Sequence, residues 1–159
     1  MEKLMEKHDE LLLSAKKSLN AADHLTYMTY PLVKDVKIVL TITQNLHSCV
    51  MDGMEAVLQF DRYYKRINPL TDNFENKFSV FKEKCASRYN FNIDDLELIQ
   101  EIKTILNCHK ESNMEFIRSN KVIMCSPTFK MKTFDIPSIK LYLARTKKFI
   151  AKVDMAIRC

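Results

Sequence analysis

The chain is poor in glycine, since Gly53 is the one glycine among its 159 residues, and it has only four prolines. All-β folds need many tight turns, and those turns usually require glycine. Dinucleotide-binding and P-loop motifs need several glycines at fixed spacing. The composition therefore excludes both glycine-rich motifs and favours long helices that are joined by a few short loops.

Long apolar runs are also lacking, because no run approaches the ~20 residues needed to cross a bilayer. The charged first seven residues do not have the apolar core of a signal peptide. We therefore expect a cytoplasmic protein without a membrane partner.

Metal and disulfide motifs are missing from the sequence as well. The cysteines are odd in number and widely spaced, without a CxxC pair, and no HExxH motif is present. This spacing predicts free thiols in a reducing compartment, and we expect no metal and no cofactor. The cysteines are Cys49, Cys85, Cys108, Cys125 and Cys159.

Apolar residues recur at three- and four-residue steps along most of the chain, which is typical of amphipathic helices. The pattern predicts a single domain over residues 1–159, mainly all-α, built as an up-and-down bundle of about five helices. The predicted helices cover about 2–26, 34–66, 73–88, 92–110 and 137–157, with a short additional helix near 113–119.

The periodicity changes from helical to alternating between residues 121 and 134. Apolar positions alternate with Lys130 and Lys132 after the turn-forming residues 126–128. This alternation predicts a small β-hairpin before the last helix, with one face on the bundle.

Several residues predict where the helices begin, end and pack. Pro31 disfavours helical geometry at the residue before it and is expected to end the first helix. Asp72 and Glu75 have the spacing of a capping box, and Asn92 is a candidate N-cap. Gly53 lies on the apolar stripe of the second helix, where it permits close approach of another helix at a cost of about 1 kcal/mol in helix propensity.

His109 is the main candidate for acid–base chemistry, because it ends the apolar face of the fourth helix and a histidine titrates near neutral pH. The alternative is a partly buried histidine that favours the negative end of the helix. His8 lies on the apolar stripe of the first helix and is expected to pack there. The carboxylate pairs Asp94–Asp95 and Glu55–Asp61 have no neighbouring features that support a role in acid–base chemistry. Capping of the fourth helix explains the first pair.

Basic residues give the chain a formal charge of +5, a mild excess that permits an acidic partner such as RNA. Tyr63 and Tyr64 precede Lys65 and Arg66, and aromatic rings beside cations suit base stacking and phosphate contact. The alternative is a pair of tyrosines at the core edge, with cations that favour the helix C-terminus. The other basic candidates for contact with an acidic partner form either one binding patch or a solvated helix face. They are Lys130, Lys132, Lys140, Arg145, Lys147, Lys148 and Lys152.

Two stretches of the first two helices resemble the start of HEPN domains, which are helical bundles frequent in prokaryotic RNases and toxin–antitoxin systems. The stretches are AKKSLNAA at 15–22 and CVMDGMEAVL at 49–58, about a third of the chain with its surroundings. The whole chain is also similar to small uncharacterised archaeal proteins, which implies no activity. The HEPN resemblance implies RNA as a partner and a homodimer with the site at its interface.

The nuclease motif of HEPN ribonucleases has an arginine followed, after four to six residues, by a histidine. No histidine here has an arginine at that spacing, and the nearest pair is Lys103 and His109. Lysine keeps the charge but not the planar fork of arginine. The resemblance therefore favours a protein that has lost the nuclease site in its usual form.

Our first hypothesis is a HEPN-like, non-enzymatic bundle that binds RNA or another anionic partner. The first alternative is a metal-independent ribonuclease that uses His109, together with Lys103. The second alternative is a protein–protein interaction module with an exposed apolar patch larger than a few hundred Å².

Overall fold

The computed structural model describes residues 6–111, 115–118, 121–125 and 131–158, with side chains for 6–35, 37–107 and 135–158. Within these residues the chain forms five helical segments and three short strands. The prediction of a mainly α-helical protein is confirmed.

The first helix, α1, spans 7–33 and continues through Pro31, so the predicted end at this proline is wrong. Lys7–His24 is α-helical, Leu25–Thr29 is π-helical, and Tyr30–Val33 is α-helical again. After the π segment, Pro31 falls in the first turn of a new α-helical register, where its missing N–H breaks no hydrogen bond. The helix ends at Lys34, which adopts left-handed geometry with φ 54°.

The second helix, α2, spans Val36–Tyr63 and begins at Asp35, whose side chain accepts a hydrogen bond of 2.9 Å from the Lys37 amide. Gly53 is buried against the last helix. A Cβ atom at this position would lie 2.9 Å from Cδ1 of Ile150 and 3.0 Å from Cε1 of Phe149. The prediction that Gly53 is a packing site is confirmed.

The third helix, α3, covers 74–85, with an α-helical part Phe74–Val80 and a π-helical part Phe81–Cys85. Its cap is Asn73, which accepts hydrogen bonds from two amides, and the predicted capping box at Asp72 is wrong by one residue. The fourth helix, α4, spans Ile93–Glu111. Asn92 caps it as predicted, because the Asp95 amide donates to Asn92 Oδ1 and the Asn92 amide donates to Asp95 Oδ2.

The chain then forms the strands β1 (Glu115–Arg118), β2 (Lys121–Cys125) and β3 (Met131–Phe134). They pair antiparallel in the order β1-β2-β3, with Val122 opposite Phe134. β1 replaces the short helix predicted near 113–119, because cross-strand pairing to β2 outweighs the local helical signal. Residues 126–130, which include the predicted turn, lie outside the described residues, so the hairpin as a unit stays a prediction.

The last helix, α5, spans Ile136–Arg158. It runs parallel to α2, beside Gly53, and antiparallel to α1, since Lys16 pairs with Asp154 and Lys147 pairs with Asp23. α4 is antiparallel to α5, because Lys152 bonds Asp95. Residues from all five helices form the core, with Phe81, Phe149 and Leu46 among its largest fully buried side chains.

The helix directions do not alternate throughout, so a strict up-and-down order is wrong at one connection. Lys77 pairs with Glu55, and Cys85 contacts Asp61, so α3 runs in the same direction as α2. The ten-residue connector 64–73 is long enough for this return, because an extended chain spans about 3.3 Å per residue. As a result α2, α3 and α5 all end where α1 and α4 begin, and we call this end of the bundle the cleft end.

No helix among the described residues combines the length and the apolar character that crossing a bilayer requires.

Candidate functional site

The carboxylate of Asp61, in the last turn of α2, is fully buried at the cleft end and receives hydrogen bonds from four side chains. Arg88 Nη1 lies 2.6 Å from Oδ2, and Cys85 Sγ lies 3.1 Å from the same oxygen. The Tyr89 hydroxyl and Arg66 Nη1 donate to Oδ1, the latter over 3.4 Å. A buried carboxylate needs such donors, because burial of an unpaired charge is very costly. The sequence analysis did not anticipate this burial of Asp61 among donor groups.

The backbone brings Arg66 back onto Asp61 through a tight helix end. Lys65 adopts left-handed geometry with φ 57°, and the Arg66 amide donates to the Asp61 carbonyl over 2.8 Å. Such a reversal satisfies a carbonyl at the helix end and is normally made by glycine. The chain uses lysine here, and the reversal places the Arg66 guanidinium above the last turn of α2.

The turn after α3 supplies the other donors by a similar reversal. Asn90 has φ 61°, and the Phe91 amide donates to the Ala86 carbonyl over 2.9 Å. This turn holds Arg88 and Tyr89 beside Asp61. Both reversals thus bring residues that lie 5 to 28 positions from Asp61 in the sequence onto one carboxylate.

An aromatic cluster surrounds these polar groups, with Phe60 at its centre. The Phe60 ring makes edge contacts with His8 at 5.2 Å, Tyr64 at 5.0 Å and Tyr89 at 6.4 Å between centroids. The Arg66 guanidinium lies 5.6 Å from the Phe60 centroid and 5.1 Å from that of Tyr64, distances typical of cation–π contacts. The prediction that His8 packs on the stripe of α1 is confirmed, since it is 7% exposed.

A cavity of about 590 Å³, which we call the main cleft, opens beside Asp61. Its wall combines aromatic, aliphatic and cationic side chains, among them Phe60, Arg66, Arg88, Tyr89, Lys152 and Met155. Lys152 pairs with the largely buried Asp95 over 2.6 Å. Three cations therefore meet two carboxylates, Asp61 and Asp95, which leaves a positive excess at the cleft.

A second cavity of about 380 Å³, which we call the side groove, lies between the chain after α2 and the helix α3. Its cations are Lys65, Arg66 and Lys84, and its one acidic side chain among the described residues is Glu83. Arg66 lines both cavities, so the main cleft and the side groove adjoin at this residue.

The neutral donors to Asp61 keep their protons at physiological pH. Burial, followed by the hydrogen bond to Asp61 and its charge, raises the pKa of Tyr89 above its ordinary value of 10.0. Burial, with the hydrogen bond and charge of Asp61, also raises the pKa of the Cys85 thiol. Both groups therefore remain donors, and Cys85 lacks the thiolate that nucleophilic chemistry would need.

The predicted catalytic pair is placed only in part. Lys103 Nζ lies 3.5 Å from the Phe74 ring centroid and 3.5 Å from Glu75 Oε1, on the side of α4 that faces α3. The side chain of His109 lies outside the described residues. A role for Lys103 and His109 therefore stays a prediction.

The predicted basic residues are divided between several places. Lys130 and the side chain of Lys132 lie outside the described residues. Arg66 and Lys152 line the main cleft. Arg145 pairs with Glu101 over 2.7 Å, on the side of α5 that faces α4.

Two other lysines of α5, Lys140 and Lys147, lie over the Tyr27 ring on the side that faces α1, and Lys147 pairs with Asp23. Lys148 is exposed on the outer face and has no ion pair among the side chains that the structure describes. The described cations of α5 therefore form no single patch, because the helix turns them toward three different directions.

Sequence reasoning missed Asp61, Arg88 and Tyr89. A signal for Asp61 was present, because it follows the buried residues Val57 and Leu58 at four and three positions, on the apolar stripe. A charged residue at such a position needs buried partners. No comparable signal marks Arg88 and Tyr89, since a turn brings them to Asp61.

No cluster of metal-ligating side chains occurs among the described residues. Comparison of the chain with protein-family models, with curated proteins and with solved structures finds no match. The geometry of the cleft end is therefore the basis on which a function can be argued.

Proposed function

We propose that this protein is a non-enzymatic RNA-binding module and that the main cleft and the adjoining tyrosines form its binding surface. One observation carries the proposal. The guanidinium groups of Arg66 and Arg88 are held on a buried carboxylate and line one cleft together with aromatic rings.

The electrostatics of the cleft favour an anionic ligand. The Asp61 carboxylate has no exposed surface and is shared by two guanidinium groups, whose side chains are 42% and 38% exposed. Each guanidinium has five N–H donors in a planar fork, and a single carboxylate leaves several of them for a ligand. Phosphate groups match this geometry, and fixed guanidinium groups lose little entropy when they bind one.

The aromatic rings favour RNA over an acidic peptide. Tyr63 and Tyr64 are 54% and 53% exposed, and Arg66 contacts the Tyr64 ring. RNA-binding proteins use such rings and guanidinium planes to stack bases. We also propose the resemblance to HEPN domains, and RNA is the partner that this resemblance implies.

The binding test compares two substitutions on α5 that add the same negative charge. Met155 lines the main cleft and is 66% exposed, and Leu141 is 69% exposed about four turns earlier in the same helix. We expect Met155→Glu to weaken binding of a labelled RNA about tenfold at 50 mM salt, while Leu141→Glu keeps the wild-type affinity. Affinity should fall steeply between about 50 and 200 mM salt, because bound counterions are released. Equal affinity of both variants, or no binding at 50 mM salt, contradicts the proposal.

The ribonuclease hypothesis predicts that wild-type protein cleaves structured or single-stranded RNA and that His109→Ala does not. Equal cleavage by the two proteins removes His109 from that role. The homodimer that the resemblance implies predicts twice the chain mass of 18.7 kDa in sedimentation equilibrium. A single species at the monomer mass contradicts it.

A further inference from the structure

We infer that the cleft end takes single-stranded RNA in particular, with a base on the Tyr63–Tyr64 pair and successive phosphates in the main cleft and the side groove. This inference rests on the proposed function and adds the form of the nucleic acid.

The main cleft and the side groove share one cation in their walls. Arg66 lines both of them, and its side chain is 42% exposed where they adjoin. The other cations of the main cleft are Arg88 and Lys152, and those of the side groove are Lys65 and Lys84, beside the acidic Glu83. Both cavities that share Arg66 therefore carry cations, and a cationic groove is the feature that tracks a nucleic-acid backbone.

The exposed tyrosines adjoin the shared cation through Tyr64. Tyr63 and Tyr64 lie edge to face, with centroids 5.0 Å apart, and Arg66 contacts the Tyr64 ring. Each of the two tyrosines is about half exposed, although the neighbouring Phe60 is 7% exposed. A base that stacks on these rings would place its phosphate beside Arg66.

Stacking of a base on these tyrosines distinguishes single strands from duplexes. In an A-form duplex the faces of the bases are covered by their neighbours, so they cannot stack on a protein side chain. The cations of the main cleft also line a concave wall with Phe60 and Tyr89, which an unpaired nucleotide can enter. A volume of about 590 Å³ lies within the range of pockets that enclose ligands of this size.

The experiment measures fluorescence anisotropy of an end-labelled ten-nucleotide single strand and of a blunt duplex of the same length, with the whole chain at 50 mM salt. We expect the single strand to bind at least tenfold more tightly than the duplex. Tyr64→Leu should weaken single-strand binding about tenfold, which is within the range found for one stacked base.

The matched control is Tyr27→Leu. Tyr27 is 48% exposed and lies beside two cations, Lys140 and Lys147, but it belongs to α1 away from the cleft end. Its substitution should leave the affinity unchanged. The chain has no tryptophan, so quenching of tyrosine emission by the bound strand gives a second readout of stacking, and Tyr64→Leu should reduce it.

Three outcomes decide the inference. The inference is supported if the protein prefers the single strand, if Tyr64→Leu abolishes this preference and if Tyr27→Leu preserves it. Equal binding of strand and duplex, or equal loss in both variants, overturns the inference and leaves RNA binding intact. No binding of either nucleic acid overturns the proposed function as well.

Discussion

Arg88 donates a hydrogen bond of 2.6 Å to the buried Oδ2 of Asp61, across 27 residues of sequence. The bond links the end of α2 to the turn after α3, two helices that run in the same direction. It also fixes a guanidinium at the wall of the main cleft. The same ion pair thus serves the packing of the helix ends and the charge of the proposed binding surface.

Removal of the Asp61 charge should destabilise the protein strongly. Asp61→Asn leaves Arg66 and Arg88 without their carboxylate and replaces an acceptor by an amide, which should lower the free energy of unfolding by about 3 kcal/mol. Asp52→Asn is the matched control on the same helix. Asp52 accepts one bond from Ser14, and its loss should cost less than about 1 kcal/mol. Urea denaturation of both variants measures the difference, and similar losses would contradict the central role of Asp61.

Close packing at Gly53 should make alanine unfavourable there, although alanine is the better helix former. Helix propensity favours Gly53→Ala by about 1 kcal/mol, whereas overpacking against Ile150 and Phe149 costs about 1–3 kcal/mol. We expect a net loss of about 1 kcal/mol in thermal or urea unfolding. Ile150→Val removes the Cδ1 atom that would lie 2.9 Å from the new Cβ. The double variant should therefore lose less free energy of unfolding than the two single variants lose together. Additive effects would show that no clash exists.

The left-handed geometry of Lys34 should make glycine stabilising at that position. Lys34 has φ 54° and is exposed, and an L-residue in this region is strained by about 1 kcal/mol relative to glycine. Lys34→Gly should therefore raise the free energy of unfolding by about 1 kcal/mol. Lys17→Gly, at an exposed position inside α1, should lower it by about the same amount. Denaturant unfolding that shows a loss in both variants would rule out the left-handed conformation.

The buried thiol of Cys49 should make the protein less stable in alkaline solution. Burial, with the nearby charge of Asp52, raises the pKa of Cys49 from 9.0 to about 12. The raised pKa means that the stabilisation by the neutral thiol is complete below about pH 9. It is lost as the pH rises toward 12, because the unfolded chain ionises first.

The measurement compares wild type with Cys49→Ala at pH 8.5 and 10.5. At about 1.4 kcal/mol per pH unit above the ordinary pKa, the wild type should lose about 2 kcal/mol more than the variant over this interval. Other titrating groups, including Cys85, are present in both proteins and cancel in the comparison. Identical losses would show that the Cys49 thiol is accessible to water.

The sequence was sufficient to predict those helical features that depend on residues close to one another along the chain. The stripe of α2 and the cap at Asn92 depend on residues three or four positions apart, so local periodicity identifies them. The course of the chain at Pro31 was not predictable in this way. Leu25–Thr29 is π-helical, and that shift of hydrogen bonding allows the helix to continue through the proline.

By itself the sequence determined that the protein is helical, because apolar periodicity reflects interactions between residues a few positions apart. It also determined a close helix contact at Gly53, because this glycine lies on an apolar stripe. Only the tertiary structure decided that Asp61, Arg66, Arg88 and Tyr89 form one site. Their meeting depends on the parallel course of α2 and α3 and on two left-handed helix ends, Lys65 and Asn90. Burial of the Asp61 carboxylate then selects the partners, since a charge removed from water is stable only beside groups that donate to it.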